Sequence, residues 1–393
     1  MNVTLDFETT TKNKGHPFTP ENFAVSYSIQ INNENPTFHY FTDLDFLSFL
    51  RQHIGLCTCF IGFNCKFDLH WLHRLGLTIP PACKIFECSL AEFIVTGQEA
   101  SYASLDGCLE SYGLPLKQDK VKEFWDVGVD TKDIPYEILE EYNNLDVSLT
   151  YQLYLQQLQI LDEKQLKLVF LEGEDMKTLL EAEYNGVKWD VEGAKTALEG
   201  YKNEVVRGRA GLWDFVPQTA QKYFNWESGD DLSLLLYGGE KAYDDFTEED
   251  AVYKSGEKKG TAYIKRTWFQ VPCTFSQRFK PIEGTTVKKC LKEGYSGPMY
   301  YQVDEPTLKQ LTSRRKEDKQ LIDLLLTVAK TQKIVEMLEE LFKVTEKFRW
   351  QDDLLHGQFN QNVVRTGRLS SSQPNMQNKP PELDMFLVSR YAG

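Results

Sequence analysis

The chain has 393 residues, 41% of them hydrophobic, and a net charge of −14 at pH 7. That length exceeds one compact domain and points to two or three, and the acidic balance excludes a protein coated in nucleic acid over its whole surface. The start, MNVTLDFETT, puts carboxylates where a signal peptide needs an apolar run, and no stretch reaches the roughly eighteen apolar residues of a membrane span, so a cytoplasmic protein is expected.

In chain order, NVTLDFETT (residues 2–10) alternates apolar and polar side chains and reads as a strand. FAVSYSIQIN (23–32) and PTFHYF (36–41), with turn residues between them, read as antiparallel neighbours. LDFLSFLRQHI (44–54) has helical period, and CTCFIGFN (57–64) is a buried strand. DLHWLHRLGL (68–77) opens with Asp68 where a helix N-cap or first-turn carboxylate belongs. IPYEILEEYNNLDVSLTYQLYLQQLQIL (134–161) is a long amphipathic helix. The order β-β-β-α-β-α, then mainly helices, predicts an α/β fold: a mixed sheet with helices against it. The eight cysteines form no C-x-x-C pair, so reduced thiols and no structural zinc are expected.

Four carboxylates stand out in this half. Asp6 and Glu8, two apart on a strand, project from one face, where like charges repel and burial makes the repulsion worse. Asp68 follows a strand at a helix start, and Asp146 shares a helix face with Tyr142 four residues earlier. Taken singly, these are ordinary features: a solvated edge, a helix cap, an exposed helix face. Together, hard carboxylate oxygens without His or Cys suit magnesium or manganese.

The ordered set D-x-E (Asp6, Glu8), N-x-x-x-D (Asn64, Asp68) and Y-x-x-x-D (Tyr142, Asp146) resembles the three motifs of DnaQ-like 3′–5′ exonucleases, the proofreading domains of DNA polymerases. The resemblance implies a ribonuclease-H-like fold and a two-metal hydrolysis of phosphodiesters. Asp6, Glu8 and Asp146 would hold one divalent ion. Asp6 would also touch a second, reached by Asp68 directly or through water, and Tyr142 would orient the attacking water. Asn64 would lie near the DNA. Phe7 and Phe67, which flank the acids, read as core, with stacking on a frayed base as the alternative.

In the back half, LEAEYNGVKWDVEGAKTAL (180–198) reads as a helix, a turn at Asn185-Gly186 and another helix; FNWESGDDLSLLLYGG (224–239) follows. Both resemble the approach to the thumb in family A DNA polymerases, and the amphipathic stretch 323–348 resembles their long thumb helices. Charge is uneven: residues 1–160 hold 10 Lys and Arg against 21 Asp and Glu, whereas 251–300 hold 10 against 3. The basic, aromatic-rich region at about 240–305 is expected to be an irregular insertion, either touching duplex backbone or simply solvated.

TGRLSSSQPNMQNKP (366–380) resembles the family A signature T-G-R-L-S-S-x-x-P-N-L-Q-N-I-P, departing only at Met376 and Lys379. By that resemblance Arg368 would reach the minor groove at the primer terminus, and Asn375 and Gln377 would contact template or primer. The palm strings that follow in that family, such as D-Y-S-Q, do not occur here. The expectation is therefore the amino-terminal portion of a phage-type family A polymerase, acting in the host cytoplasm: exonuclease at 1–160, thumb at 161–350 and the start of the palm at 351–393. Its partners would be a single-stranded 3′ end and primer–template and, if the chain is half of a split enzyme rather than a cut piece or a cleavage product, a second polypeptide carrying the rest of palm and fingers. The strand at Met385–Val388 is expected to be open-edged: covered by a second polypeptide if the enzyme is split, frayed in solution if the chain has been cut there. Two other classes fit less well: a non-catalytic DNA-binding module, which would not need the full acidic set, and a free-standing exonuclease, which would not need a primer-terminus reader.

Overall fold

The structure is a computed structural model, and it describes residues 1–116, 120–256, 260–348 and 350–389. The chain divides into two compact units, residues 1–194 with 337–393, and residues 195–336.

The first unit is built on a five-stranded mixed sheet. Strands β1 (Asn2–Thr9), β2 (Ala24–Ile31) and β3 (Thr37–Tyr40) are antiparallel. Helix α1 (Phe46–Gly55) leads to β4 (Cys59–Gly62), helix α2 (Lys66–Arg74) to β5 (Lys84–Glu87), and β1, β4 and β5 are parallel neighbours. The order is β3-β2-β1-β4-β5, so β1 is the central strand. Its two faces are both covered, as a strand in that position requires. Val3, Leu5 and Phe7 pack in one core with Phe60, Trp71 and Leu72. Full burial of one such side chain contributes about 1.5–3 kcal/mol. Asp6 and Glu8 point to the other face.

Helices α3 (Cys88–Val95), α4 (Leu105–Ser111), α5 (Lys120–Asp126) and α6 (Tyr136–Ile160) follow. The buried stripe of α6 is Leu139, Asn143, Asp146, Val147, Thr150, Leu153, Tyr154 and Gln157, three or four apart. Its lower half packs with Ile61 and Phe86, while its upper half carries polar groups over β1. Helix α7 (Glu163–Asn185) starts with a capping box between Asp162 and Gln165. It crosses β5 at Gly173, where a Cβ would come within 2.4 Å of the Ile85 carbonyl oxygen. Gly186, with φ 62°, ends it in a conformation that favours glycine. The short strand β6 (Val187–Trp189) and helix α8 (Val191–Trp213) come next.

The second unit is mainly helical. It holds the rest of α8, then α9 (Gly229–Tyr237), strands β7 (Gly239–Val252) and β8 (Ala262–Phe275), α10 (Glu305–Gln310) and most of α11 (Lys316–Phe348). Its core includes Leu212, Phe224, Leu235, Phe275 and Leu321. The region expected to be irregular is in its first part a regular ribbon: β7 and β8 pair from Gly239↔Phe275 to Val252↔Ala262. Its basic residues are answered across the ladder, Lys265 by Glu249 and Arg266 by Glu248. Acids on the partner strand thus pair with both basic residues of β8.

The chain returns to the first unit with β9 (Leu354–Leu355), β10 (Gln358–Asn360), β11 (Ser370–Ser372) and β12 (Leu387–Val388). The end of the described chain is paired on one side. Strand β12 pairs with β6 through Leu387↔Trp189 and Val388↔Lys188, and the Asp190 N–H donates to the Phe386 carbonyl at 2.8 Å. Phe386 is buried; Met385 and Val388 are exposed. The sheet order β12-β6-β9 leaves β12 at an edge. The expectation missed β6, a three-residue strand with no room to display a period. Residues 390–393 lie outside the described residues.

Candidate active site

Asp6 and Glu8 extend from β1 and Asp146 from α6, and one carboxylate oxygen of each lies within 4.8 Å of the others. Glu8 and Asp146 are buried and Asp6 half-buried. The arrangement follows from two periods: residues two apart on a strand share a face, and α6 crosses that face with Asp146 on its buried stripe. Three carboxylates this close repel unless a cation neutralises them. Hard oxygen donors without nitrogen or sulfur fit magnesium or manganese.

Asp68 stands in the first turn of α2 and is fully buried. Its Oδ1 accepts the Phe7 N–H at 2.9 Å, which ties α2 to the strand between Asp6 and Glu8. Burial first, and then the nearby charge of Asp6, push its carboxyl well above the usual carboxylate range. It is not among the three converging oxygens. Tyr142 lies one turn before Asp146, its ring edge-on to Trp125 at 6.0 Å. Beside Glu8 opens a cavity of about 340 Å³ lined by Phe7, Thr11, Lys14, Phe67 and Trp125. Phe7 itself is core. Phe67 is partly buried and shares both the core and the cavity wall.

Asn64 is exposed. It sits just after β4 with φ 54°, and its backbone N–H donates to Glu87 Oε1 at 2.6 Å. Glu87 also caps α3, taking the N–H groups of Ser89 and Leu90. Burial pushes its carboxyl upward against these hydrogen bonds. Nothing in the sequence singled out Glu87.

A second buried network was also not foreseen. Glu183, near the end of α7, takes Lys66 Nζ at 2.5 Å, His70 Nε2 at 2.7 Å and the Phe359 N–H at 2.7 Å. Lys66 also donates to the Phe359 carbonyl, and the ring of His356 meets the Glu183 carbonyl at 2.8 Å. Burial pushes the Glu183 carboxyl up, but His70 and Lys66 outweigh it and hold it below the usual range. Lys66 belongs to the NCKFD stretch itself, so the helix bearing Asp68 is tied to the hairpin β10–β11. Partners from three distant segments leave no local sequence signal.

The cassette residues sit elsewhere in this unit. Arg368 and Gln377 are exposed and Asn375 is half-buried. Gly367 adopts φ 69°, and its N–H closes a turn on the Val364 carbonyl at 2.8 Å. Asn375 Oδ1 accepts the N–H groups of Gln377 and Asn378 at 3.1 and 3.2 Å.

Comparison with known proteins finds two matching stretches. Residues 3–162 match the family described as 3′-5′ exonuclease, and residues 279–389 match DNA polymerase family A. Two separate stretches of one chain thus resemble an exonuclease family and a family A polymerase. No curated protein matches the chain. Among solved structures, the POL domain of Pol1 from M. smegmatis, in complex with DNA primer-template and dNTP, is similar with a TM-score of 0.65 and 16% identity. The match covers 96% of this chain and 52% of that one, so the chain spans about half of its length. At that identity the likeness speaks for the fold. Among the described residues no helix is long and apolar enough to cross a membrane.

Proposed function

We propose that the chain is the amino-terminal part of a phage-type family A DNA polymerase whose own active site is a metal-dependent 3′–5′ proofreading exonuclease. The observation that carries this is the convergence of Asp6, Glu8 and Asp146 within an exonuclease-family domain. In this reading residues 1–160 form the exonuclease, 161–350 the thumb region and 351–393 the beginning of the palm. The protein would work in the cytoplasm, the host's if phage-encoded.

Asp6, Glu8 and Asp146 would hold one magnesium or manganese ion, and Asp6 with Asp68 a second. Bound there, such ions stabilise charge on the attacking and leaving oxygens and lower the pKa of the attacking water. The protein's own groups do the rest. Tyr142, on the same helix face as Asp146, would hold that water through its hydroxyl. The cavity beside Glu8, walled by Phe67 and Trp125 with Lys14 at its rim, would receive the terminal nucleotide of a single strand. Asn64, with its backbone fixed by Glu87, would meet the strand further along. Arg368, Asn375 and Gln377 would read primer–template, Arg368 through minor-groove acceptors common to all correct pairs.

In this reading polymerisation draws on the rest of the palm and the fingers, whose D-Y-S-Q string does not occur in these 393 residues, and a second polypeptide is one way to supply them. With magnesium or manganese the purified chain should shorten single-stranded DNA from its 3′ end, and chelation should stop it. Given labelled primer, template and four nucleotides it should add none. Extension by this chain alone overturns the reading of its polymerase part; metal-independent trimming, or none, overturns the nuclease.

A further inference from the structure

Asn143 is fully buried on α6, three residues before Asp146. Its amide Nδ2 donates to Asp6 Oδ2 at 2.7 Å and to the Asp6 carbonyl at 3.3 Å. An ionised carboxylate only accepts, so the amide must present its NH2 group and turn Oδ1 away. That Oδ1 is buried and meets no donor. Leaving such an atom unpaired costs about 1–3 kcal/mol. An alanine or leucine on this buried face would avoid the cost, so the amide needs a reason, and its one strong contact is Asp6.

The adjacent residue works in parallel. Asn144 Oδ1 accepts from Ser28 Oγ at 2.9 Å, and Ser28 is the partner of Asp6 in the β1–β2 ladder. Two consecutive asparagines thus pin α6 to β1 and β2 at the level of Asp6. The roll of α6 about its axis is fixed there, one turn before Asp146.

We propose that Asn143 is a positioning residue of the nuclease site. By holding one oxygen of the Asp6 carboxylate it sets the other, and it keeps Asp6 in register with Asp146. The inference rests on the metal-dependent reading above, since its purpose is a carboxylate set prepared for a divalent cation. Charged ligands that are oriented beforehand bind ions more tightly, because no rotamer freedom is lost on binding. Removal of a supporting hydrogen bond to a ligand typically costs about 10–100-fold in metal affinity.

The test is Mn2+ binding to the full chain, followed by electron paramagnetic resonance, for Asn143→Leu, which keeps the volume, and Asn143→Ala. Both should bind Mn2+ about 10–100-fold more weakly. The Mn2+ concentration for half-maximal trimming should rise by the same factor, and the rate at saturating Mn2+ should recover to within about threefold of wild type. A purely structural asparagine would lower the melting temperature in chelator and leave the affinity of the folded protein alone. Affinity within about twofold of wild type in either folded variant overturns the proposal. Wild-type protein that binds no Mn2+ overturns the metal-dependent reading and this inference with it; trimming that fails despite wild-type Mn2+ binding overturns the nuclease reading alone.

Discussion

Asp6 is held by Asn143, 137 residues away, and Phe7 is fixed by Asp68, 61 residues away. Arg368, Asn375 and Gln377 instead sit on turns closed within their own segment, such as Asn375 on the N–H groups of Gln377 and Asn378. Both regions carry polar residues singled out by motif, but the first is wired across the fold and sunk into it, and the second is displayed. In the proposed function the difference follows from what each would hold. Charge that develops in a reaction is stabilised best by groups that do not reorganise, and fixing them requires partners from several elements. A surface that follows a flexible polymer gains from side chains left in solvent until the polymer arrives.

The largest effect expected from this contrast is at the wired site. Asp6→Ala and Asp146→Ala should each nearly abolish trimming, and the double variant should be little worse, because groups that act as a unit are not additive. The metal-free fold should survive, since each change relieves repulsion among close carboxylates. A single variant that keeps more than about a tenth of the rate, about 1.4 kcal/mol of barrier, is not a ligand position.

The wired region is also the one that acid should loosen. His16 is buried, its ring 4.3 Å from Phe348, and its pKa is lowered from 6.5 to about 3. Burial is the main cause, then the charges of His70, His356 and Lys347, with Glu183 pulling the other way. A depressed folded pKa means that the unfolded chain takes the proton first. The stability is therefore fully present above about pH 6.5 and is lost progressively as the pH falls towards about 3. Other buried acids titrate in the same range, so the clean measurement is a difference. His16→Gln removes the titration, and its melting temperature should approach that of wild type as the pH goes from 7 to 4. Parallel melting curves against pH would show that His16 does not titrate on unfolding.

How much of this was legible in the sequence depended on range. β1 and α6 announced themselves by period, and the carboxylates that the exonuclease resemblance groups together, Asp6, Glu8 and Asp146, do converge. β5, four residues long and nearly all buried, has no alternation to betray it. Asn143 lies inside the Y-x-x-x-D stretch, yet asparagine in mid-helix has no metal-ligand character of its own, and only the tertiary contact with Asp6 gives it meaning. Lys66, His70 and Glu183 meet from two helices with a strand backbone as third partner, which no spacing rule reaches. The ribbon at 239–275 escaped because most of its side chains are exposed, so no apolar face imposed a period of two.

The smallest effect is expected at the displayed region, and it tests whether the two regions are as separate as their contacts suggest. Arg368 is exposed. In the role proposed for it, Arg368→Ala should weaken primer–template binding by about tenfold, near the lower end of a good base-edge contact. If part of that affinity is contact with phosphate, the slope of log affinity against log salt should fall by up to about one. Trimming of a short single strand should keep its wild-type rate, because no described contact runs from Arg368 to the acids. The hairpin β10–β11 supplies a route by which that could fail. Phe359 is fastened to Glu183 and Lys66, and Lys66 is two residues from Asp68 on α2. If Arg368→Ala slows single-strand trimming as much as it weakens primer–template binding, that route carries the coupling. Glu183→Gln, which keeps an acceptor for Phe359 but removes the charge facing Lys66, should then slow trimming in the same way. If Arg368→Ala spares trimming while Glu183→Gln slows it, the network serves the placement of Asp68 and the cassette acts on its own.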